Sequence, residues 1–446
     1  MPIQNFPAAL VPIIQQGFLE REFQDGLESV TAFRNIADRE PIPNKVGETI
    51  TKTRAGLKAP TTTPLAASGN TNLDNGLSPT TWTVEQYVLT MAMYGDTIDL
   101  NTVTNRVGIV EQFMQNAKVN GVQSSQSLDR LARNALFNAY IGGNTRVRTT
   151  LGAPALTIAV DDVRGYLNGF VGGVYFGGGV LVNGVMTPIS PANPLNVVVG
   201  SNVYSLTAVA VDGSNASTAP GGISGTLTFA GNVTVADGTA ANPVVSSYAP
   251  TILRPNGRAT TAALTGTDLL TMGLCLDAVA QLRNNAVPAR DGLYDVFLDN
   301  KSARQLFADP DFKLLFQGQD AAKEFRQGRV IELLDCRFVP TTEALQQSLG
   351  SINVKRPIVC GAGALIEGDF DGMGETDTGT GDALKSVVDD IVQVTRPPLD
   401  RLQQIIAQSW YWIGGYAVPT DATATQNIIP TAAQTYWKRA IVLETA

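Results

Sequence analysis

Apolar residues at Val110, Phe113, Met114 and Ala117, resumed at Leu128, Leu131, Ala132, Ala135, Leu136 and Ala139, keep the spacing of one helix face for about thirty positions. At a rise of ~1.5 Å per residue such a helix is about 45 Å long, more than a small domain is wide. It has to run as a spine beneath more than one layer of structure. A bend is expected near Gly121, where the pattern softens.

The flanks of this helix are of two kinds. Before it comes an apolar arm, Pro2 to Asp25, whose early Pro7 and Pro12 prevent one continuous helix. After a short alternating stretch, Ser29 to Arg34, follows "REPIPNKVGETITKTRAGLKAPTTTPLAASGN", rich in threonine and proline and poor in large apolar side chains after Ile50. A segment with so little apolar surface cannot offset its own ordering entropy, so it is disordered or extended against another molecule. "WTVEQYVLTMAMYGDTIDL", Trp82 to Leu100, then reads as a strand or a bent pair of strands.

Beyond Thr150 the composition changes. Between Arg164 and Arg254 the only charged residues are Asp212 and Asp237, set among Val, Thr, Gly, Ser and Asn. Short strand-like runs such as "LNVVVGSNVYSLTAVAV" and "GTLTFAGNVTV" predict a separate small barrel or sandwich. Helical pattern returns with a cap-like Thr265–Asp268 pair and an apolar stripe through Leu269, Met272, Leu276, Val279 and Ala280. Mixed segments follow: "YDVFL", a helix capped by Asn300, strands in "GRVIELLDCRFVP" and "RPIVCGAGALIEG", then "DDIVQVTR", "RLQQIIAQSWYWIGGYAV" and a final strand in "WKRAIVLET". The chain is α+β, with a β-rich module inserted in a host whose ends both contribute sheet.

Composition narrows the chemistry. The 446 residues contain no histidine, which removes Ser-His-Asp and Cys-His mechanisms and the usual zinc and haem ligation. Cys275, Cys336 and Cys360 are odd in number and flanked by apolar residues, as reduced core thiols are. A net charge of -8 argues against a nucleic-acid grip, and charged residues at 16% leave much of the surface neutral or buried in contacts. No run approaches the roughly 20 apolar residues of a membrane span, the start lacks a signal-peptide pattern, and a cytosolic chain is expected.

Local motifs add little. "GDFDGMGETDTGTGD" gathers Asp369, Asp371, Glu375, Asp377 and Asp382, but an EF-hand would need ligands where Met373 and Thr380 stand. The glycine-rich stretches Gly172–Gly184 and Gly361–Gly368 lack P-loop and dinucleotide endings and read as tight turns. Arg130 with Arg133, Arg146 with Arg148 and Lys438 with Arg439 are pairs suited to salt bridges, and Trp410, Tyr411 and Trp412 suit core and interface packing.

The order of parts, with the phrases "YDVFLDNKSARQLFADPDF" and "TRPPLDRLQQIIAQSWYWIG", resembles the major capsid proteins of tailed phages, a fold shared with encapsulins and herpesvirus floor domains. The resemblance implies an N-terminal arm and first segment (1–39), an extended loop (40–81), a peripheral strand and spine helix (82–149), an inserted β-rich domain (150–258), an axial domain (259–386) and a closing peripheral sheet (387–446). It implies no enzyme, cofactor or metal, but a coat subunit forming pentamers and hexamers of an icosahedral virion shell, assembled in the host cytoplasm. Implied partners are other copies, a portal, scaffolding and decoration proteins, and double-stranded DNA enclosed without specific binding. In such shells the extended loop lies across a neighbour, so Lys45, Lys52, Arg54 and Lys58 are expected at subunit contacts. The alternatives are an encapsulin-like compartment shell and a β-rich tail or adhesion protein.

Overall fold

The computed structural model describes residues 32–43, 49–58, 60, 84–101, 112–140, 144–171, 174–177, 180–182, 185–212, 223–246, 251–258, 264–312, 332–349, 352–370, 384–396, 398, 401–402, 404–419 and 435–446. The fold is mixed α+β. The expected spine is a single helix, α1 (Gln112–Tyr140, 29 residues), continuous through Gly121. Ser124 and Ser127 turn their hydroxyls back onto the carbonyls of Gly121 and Gln123 (2.8 and 2.7 Å), which occupies these polar side chains locally where the apolar pattern softens.

Two sheets flank α1. The first runs Asp38–Ile42, Ile366–Phe370, Ile405–Ala417, Ile391–Arg396, Leu384–Val388, with Ala92–Asn101 pairing along the other side of Ile405–Ala417. Its central strand alternates, so that Trp410 and Trp412 face the helix and pack with Leu128 and Ile391. The second sheet runs Ile252–Leu253, Ala440–Leu443, Ile358–Cys360, Tyr294–Leu298, Cys336–Pro340, Glu332–Leu333. Every residue of Tyr294–Leu298 is buried because this sheet is covered on both faces. On one side lie α2 (Met272–Asn284) and α3 (Asn300–Ala308), and on the other Ala132, Leu136, Phe137 and Tyr140 from the end of α1. The spine therefore joins two cores, as its length required.

Of the strand or bent pair of strands expected in Trp82–Leu100, the pair is found: Val84–Thr90 and Ala92–Asn101, broken at Met91. Other boundaries differ from the sequence reading. Of the alternating stretch Ser29–Arg34, residues 29–31 lie outside the described residues, and Arg34–Ile36 form a 3-10 turn. Asp268 does not open a helix: wholly buried, it accepts from the Thr265 amide and hydroxyl (2.7 and 2.9 Å) and from Asn256 (2.7 Å), and α2 begins later, capped by Thr271. The cap of α3 is Asp299, one residue before Asn300. The last strand, Ala440–Leu443, joins the second sheet, while Ile366–Phe370 joins the first, so sheet membership crosses the boundary read at 386/387.

Between α1 and the second sheet the chain builds a barrel. Six strands pair antiparallel in the order Asn144–Arg146, Pro243–Ser246, Leu195–Val199, Asn202–Val211, Gly225–Val233, Ala155–Val160. The pairing of Val147 with Val160, and the Arg148 amide donating to Ala159 (2.8 Å), bring the last strand back to the first. Leu195, Val197 and Val199 point inward with Leu206, Leu227, Phe229 and Ile158, a core of its own. The barrel-or-sandwich alternative is thus decided for a barrel.

Candidate assembly surfaces

The first surface is the hairpin at the root of the expected extended loop. Thr49–Ala55 pairs antiparallel with Val84–Thr90, Lys52 opposite Tyr87 and Arg54 opposite Glu85. Tyr87 and Leu89 are buried against Ile42, Ile366 and Ala417 of the first sheet. The Tyr87 hydroxyl donates to the Glu40 carboxylate (2.7 and 2.8 Å to its two oxygens), and Lys52 lies 3.7 Å from the same group. Lys58, just past the strand, is exposed. Lys45 lies outside the described residues. The structure therefore places Lys52 on its own chain's Glu40, a partner 12 positions away that no local spacing indicates.

Glu40 belongs to a strap, residues 32–42, that is fixed along its length. One oxygen of buried Asp129 on α1 accepts the successive amides of Ala32, Phe33 and Arg34 (2.9, 2.7 and 3.0 Å). Burial pushes the Asp129 carboxyl up from its ordinary value, against those three donors. Arg34 reaches Glu367 through Nε and Nη2 (3.1 and 2.8 Å), both side chains being buried. Arg39 pairs with Asp390 (2.6 Å). Asp389 and Asp390 form the two-residue turn between strands with φ of 50° and 63°, a left-handed conformation unusual without glycine. Arg34 and Arg39 hold both carboxylates of that turn.

Other charges are spent internally too. Arg130 and Arg133 of α1 both bind Glu343, and Arg254 and Arg356 both bind buried Glu444. Arg146 pairs with Asp161, and Arg148 with Asp212. The thiols of Cys275, Cys336 and Cys360 are free and buried, and burial pushes Cys336 up to about 12, far from a thiolate at neutral pH. Of the acidic loop, Asp369 lies within the strand Ile366–Phe370 of the first sheet, and Asp371, Glu375, Asp377 and Asp382 lie outside the described residues. Among the described residues no three Cys, Asp or Glu side chains converge as a metal site would need. No described helix is long and apolar enough to cross a membrane.

In the barrel, Asp237 is the hub of one end. It accepts from the Ser201 amide, Asn202 Nδ2, the Tyr204 hydroxyl and Thr234 Oγ1 (3.1, 2.8, 2.6 and 2.8 Å). The bonds from Asn202 and Tyr204 above all hold its carboxyl well below the reference 3.8, although burial opposes them. The folded barrel then binds fewer protons than the unfolded chain, so this contribution is whole above about pH 4 and drains as pH falls further. Hydrogen exchange of the barrel amides, corrected for intrinsic rates, should show protection falling below about pH 4. Asp237→Asn should lower protection at neutral pH and flatten that dependence.

No family model matches the chain, and no curated protein does either. Solved structures do. The capsid of cyanophage P-SCSP1u is similar at 12% identity and a TM-score of 0.46, covering 94% of this chain and 88% of that one. The capsid of Ralstonia phage GP4 is similar at 11% and 0.43 (93% and 88%). The capsid of Helicobacter pylori bacteriophage KHP30 is similar at 11% and 0.40 (93% and 91%). These three structures are phage capsids.

Proposed function

We propose that this chain is the major capsid protein of a tailed double-stranded DNA phage, one wedge repeated in pentamers and hexamers of an icosahedral shell. One observation carries the reading: a single helix ties two sheet cores together, with a strap bound along its C-terminal half and a two-stranded hairpin rooted on the first sheet. The spine helix and the hairpin support this reading, because the sequence resemblance implied a spine and an extended loop before it. On this reading the first sheet with α1 is the peripheral domain, the second sheet with α2 and α3 is the axial domain, and the barrel is the inserted outer domain. The hairpin, which carries Lys52 and Arg54, is the stem of the extended loop that lies over a neighbour, and Lys45, Lys52, Arg54 and Lys58 are its subunit-contact residues.

The protein is then structural and not an enzyme, part of the virion, and put together in the host cytoplasm. Its partners are its own copies, a portal, scaffolding and decoration proteins. A net charge of -8 suits a wall that encloses DNA without pinning the phosphates. Electron microscopy of the chain expressed alone, and with a portal and scaffolding protein, tests this. Closed shells of one subunit type are expected. Tubes would favour a tail protein, shells filled with protein an encapsulin-like compartment, and dispersed monomers under every condition would overturn the reading.

A further inference from the structure

The hairpin meets the body in two ways that differ in kind. Its apolar contacts, Tyr87 and Leu89 on Ile42 and Ile366, are non-directional and resist separation more than tilting. The polar tie is directional. Tyr87 donates into the Glu40 carboxylate and Lys52, opposite it on the other strand, stands over the same carboxylate, so both strands are tied to one group.

Glu40 itself cannot follow the hairpin. It sits in Asp38–Ile42, paired in parallel with Ile366–Phe370, in the strap that Asp129, Glu367 and Asp390 hold. The hairpin, by contrast, continues into the first sheet only through the break at Met91, between Val84–Thr90 and Ala92–Asn101. Tyr87 is four residues from that break, a lever of about 13 Å at strand spacing. A tie at that distance fixes an angle.

We propose that Glu40 is a latch: by accepting from Tyr87 and pairing with Lys52 it fixes the tilt at which the 49–55/84–90 hairpin leaves the body. The reading of function supplies the latch's purpose, aiming the hairpin before a neighbour is met, but not its existence.

Hydrogen exchange on the full chain, kept unassembled at low concentration, tests it. Tyr87→Phe keeps the buried ring and removes only the donor, and Glu40→Ala removes the acceptor. Each should speed exchange of the hairpin amides on the order of tenfold, with the strand Ile405–Ala417 unchanged. The double variant should be no faster than Glu40→Ala alone, because that change already breaks the contact Tyr87→Phe removes. Lys52→Met, which removes the more exposed partner, should speed exchange only about two- to threefold. Hairpin exchange within about twofold of wild type in both single variants, or additive effects in the double one, would overturn the latch. Failure of the wild type to form shells would count against the proposed function alone, since the exchange is read before assembly.

Discussion

Replacing Trp412 by alanine should lower the stability of the two-sheet body by about 3 to 5 kcal/mol, the cost of emptying a large aromatic site in a packed core. Trp412 is 1% exposed and stacks between Tyr94 and Tyr416 (centroids 6.0 and 5.6 Å) against Leu128 of the spine. The site cannot collapse readily, because the backbone around it is already in close approach. A Cβ on Gly414 would stand 2.3 Å from the Trp412 ring, and one on Gly415 1.9 Å from the Thr90 carbonyl oxygen. Guanidinium unfolding followed by tryptophan fluorescence reads the loss as a shift in midpoint. Trp412→Phe should cost less, and Leu402→Ala, at a position 73% exposed, should stay within about 0.5 kcal/mol of wild type. Equal losses for Trp412→Ala and Leu402→Ala would mean that the helix-to-sheet seam does not hold the body.

Glu367→Ala should cost a similar amount, about 3 to 5 kcal/mol, for a different reason. It removes the main partner of Arg34 and leaves a guanidinium buried beside Asp389, 3.5 Å away and 57% exposed in its side chain. The penalty is that of an uncompensated charge, so replacing both partners together, Arg34→Met with Glu367→Leu, should recover most of the loss. Urea midpoints for the two single variants and the double one measure this directly. Additive losses in the double variant would contradict it, since the two side chains share one interaction.

Much of the scaffold was readable in the residues. The helix period, the strand-rich texture beyond Thr150 and the buried run at Tyr294 each express a local rule, and α1, the barrel and the second sheet follow them. Register at the helix starts was less readable, because Asp268 and Asp299 are equally good caps by type and only the tertiary setting decides which one bonds forward. The surfaces were the least readable part. Lys52 was expected at a subunit contact, and its partner within the chain, Glu40, becomes a neighbour only when the hairpin docks on the strap. Arg34 and Glu367 lie 333 positions apart, and Asp129 meets the strap's amides across 95 to 97. Pairings of that kind depend on the finished topology, and no spacing in one sequence announces them.

Sedimentation velocity of the purified chain over a rising concentration series puts the most direct question to this account, which holds that sibling copies finish what one chain leaves open. Growth from monomer to discrete rings and then to closed particles is the predicted course. A compact monomer persisting unchanged at the highest concentration, with or without scaffolding protein, would contradict it.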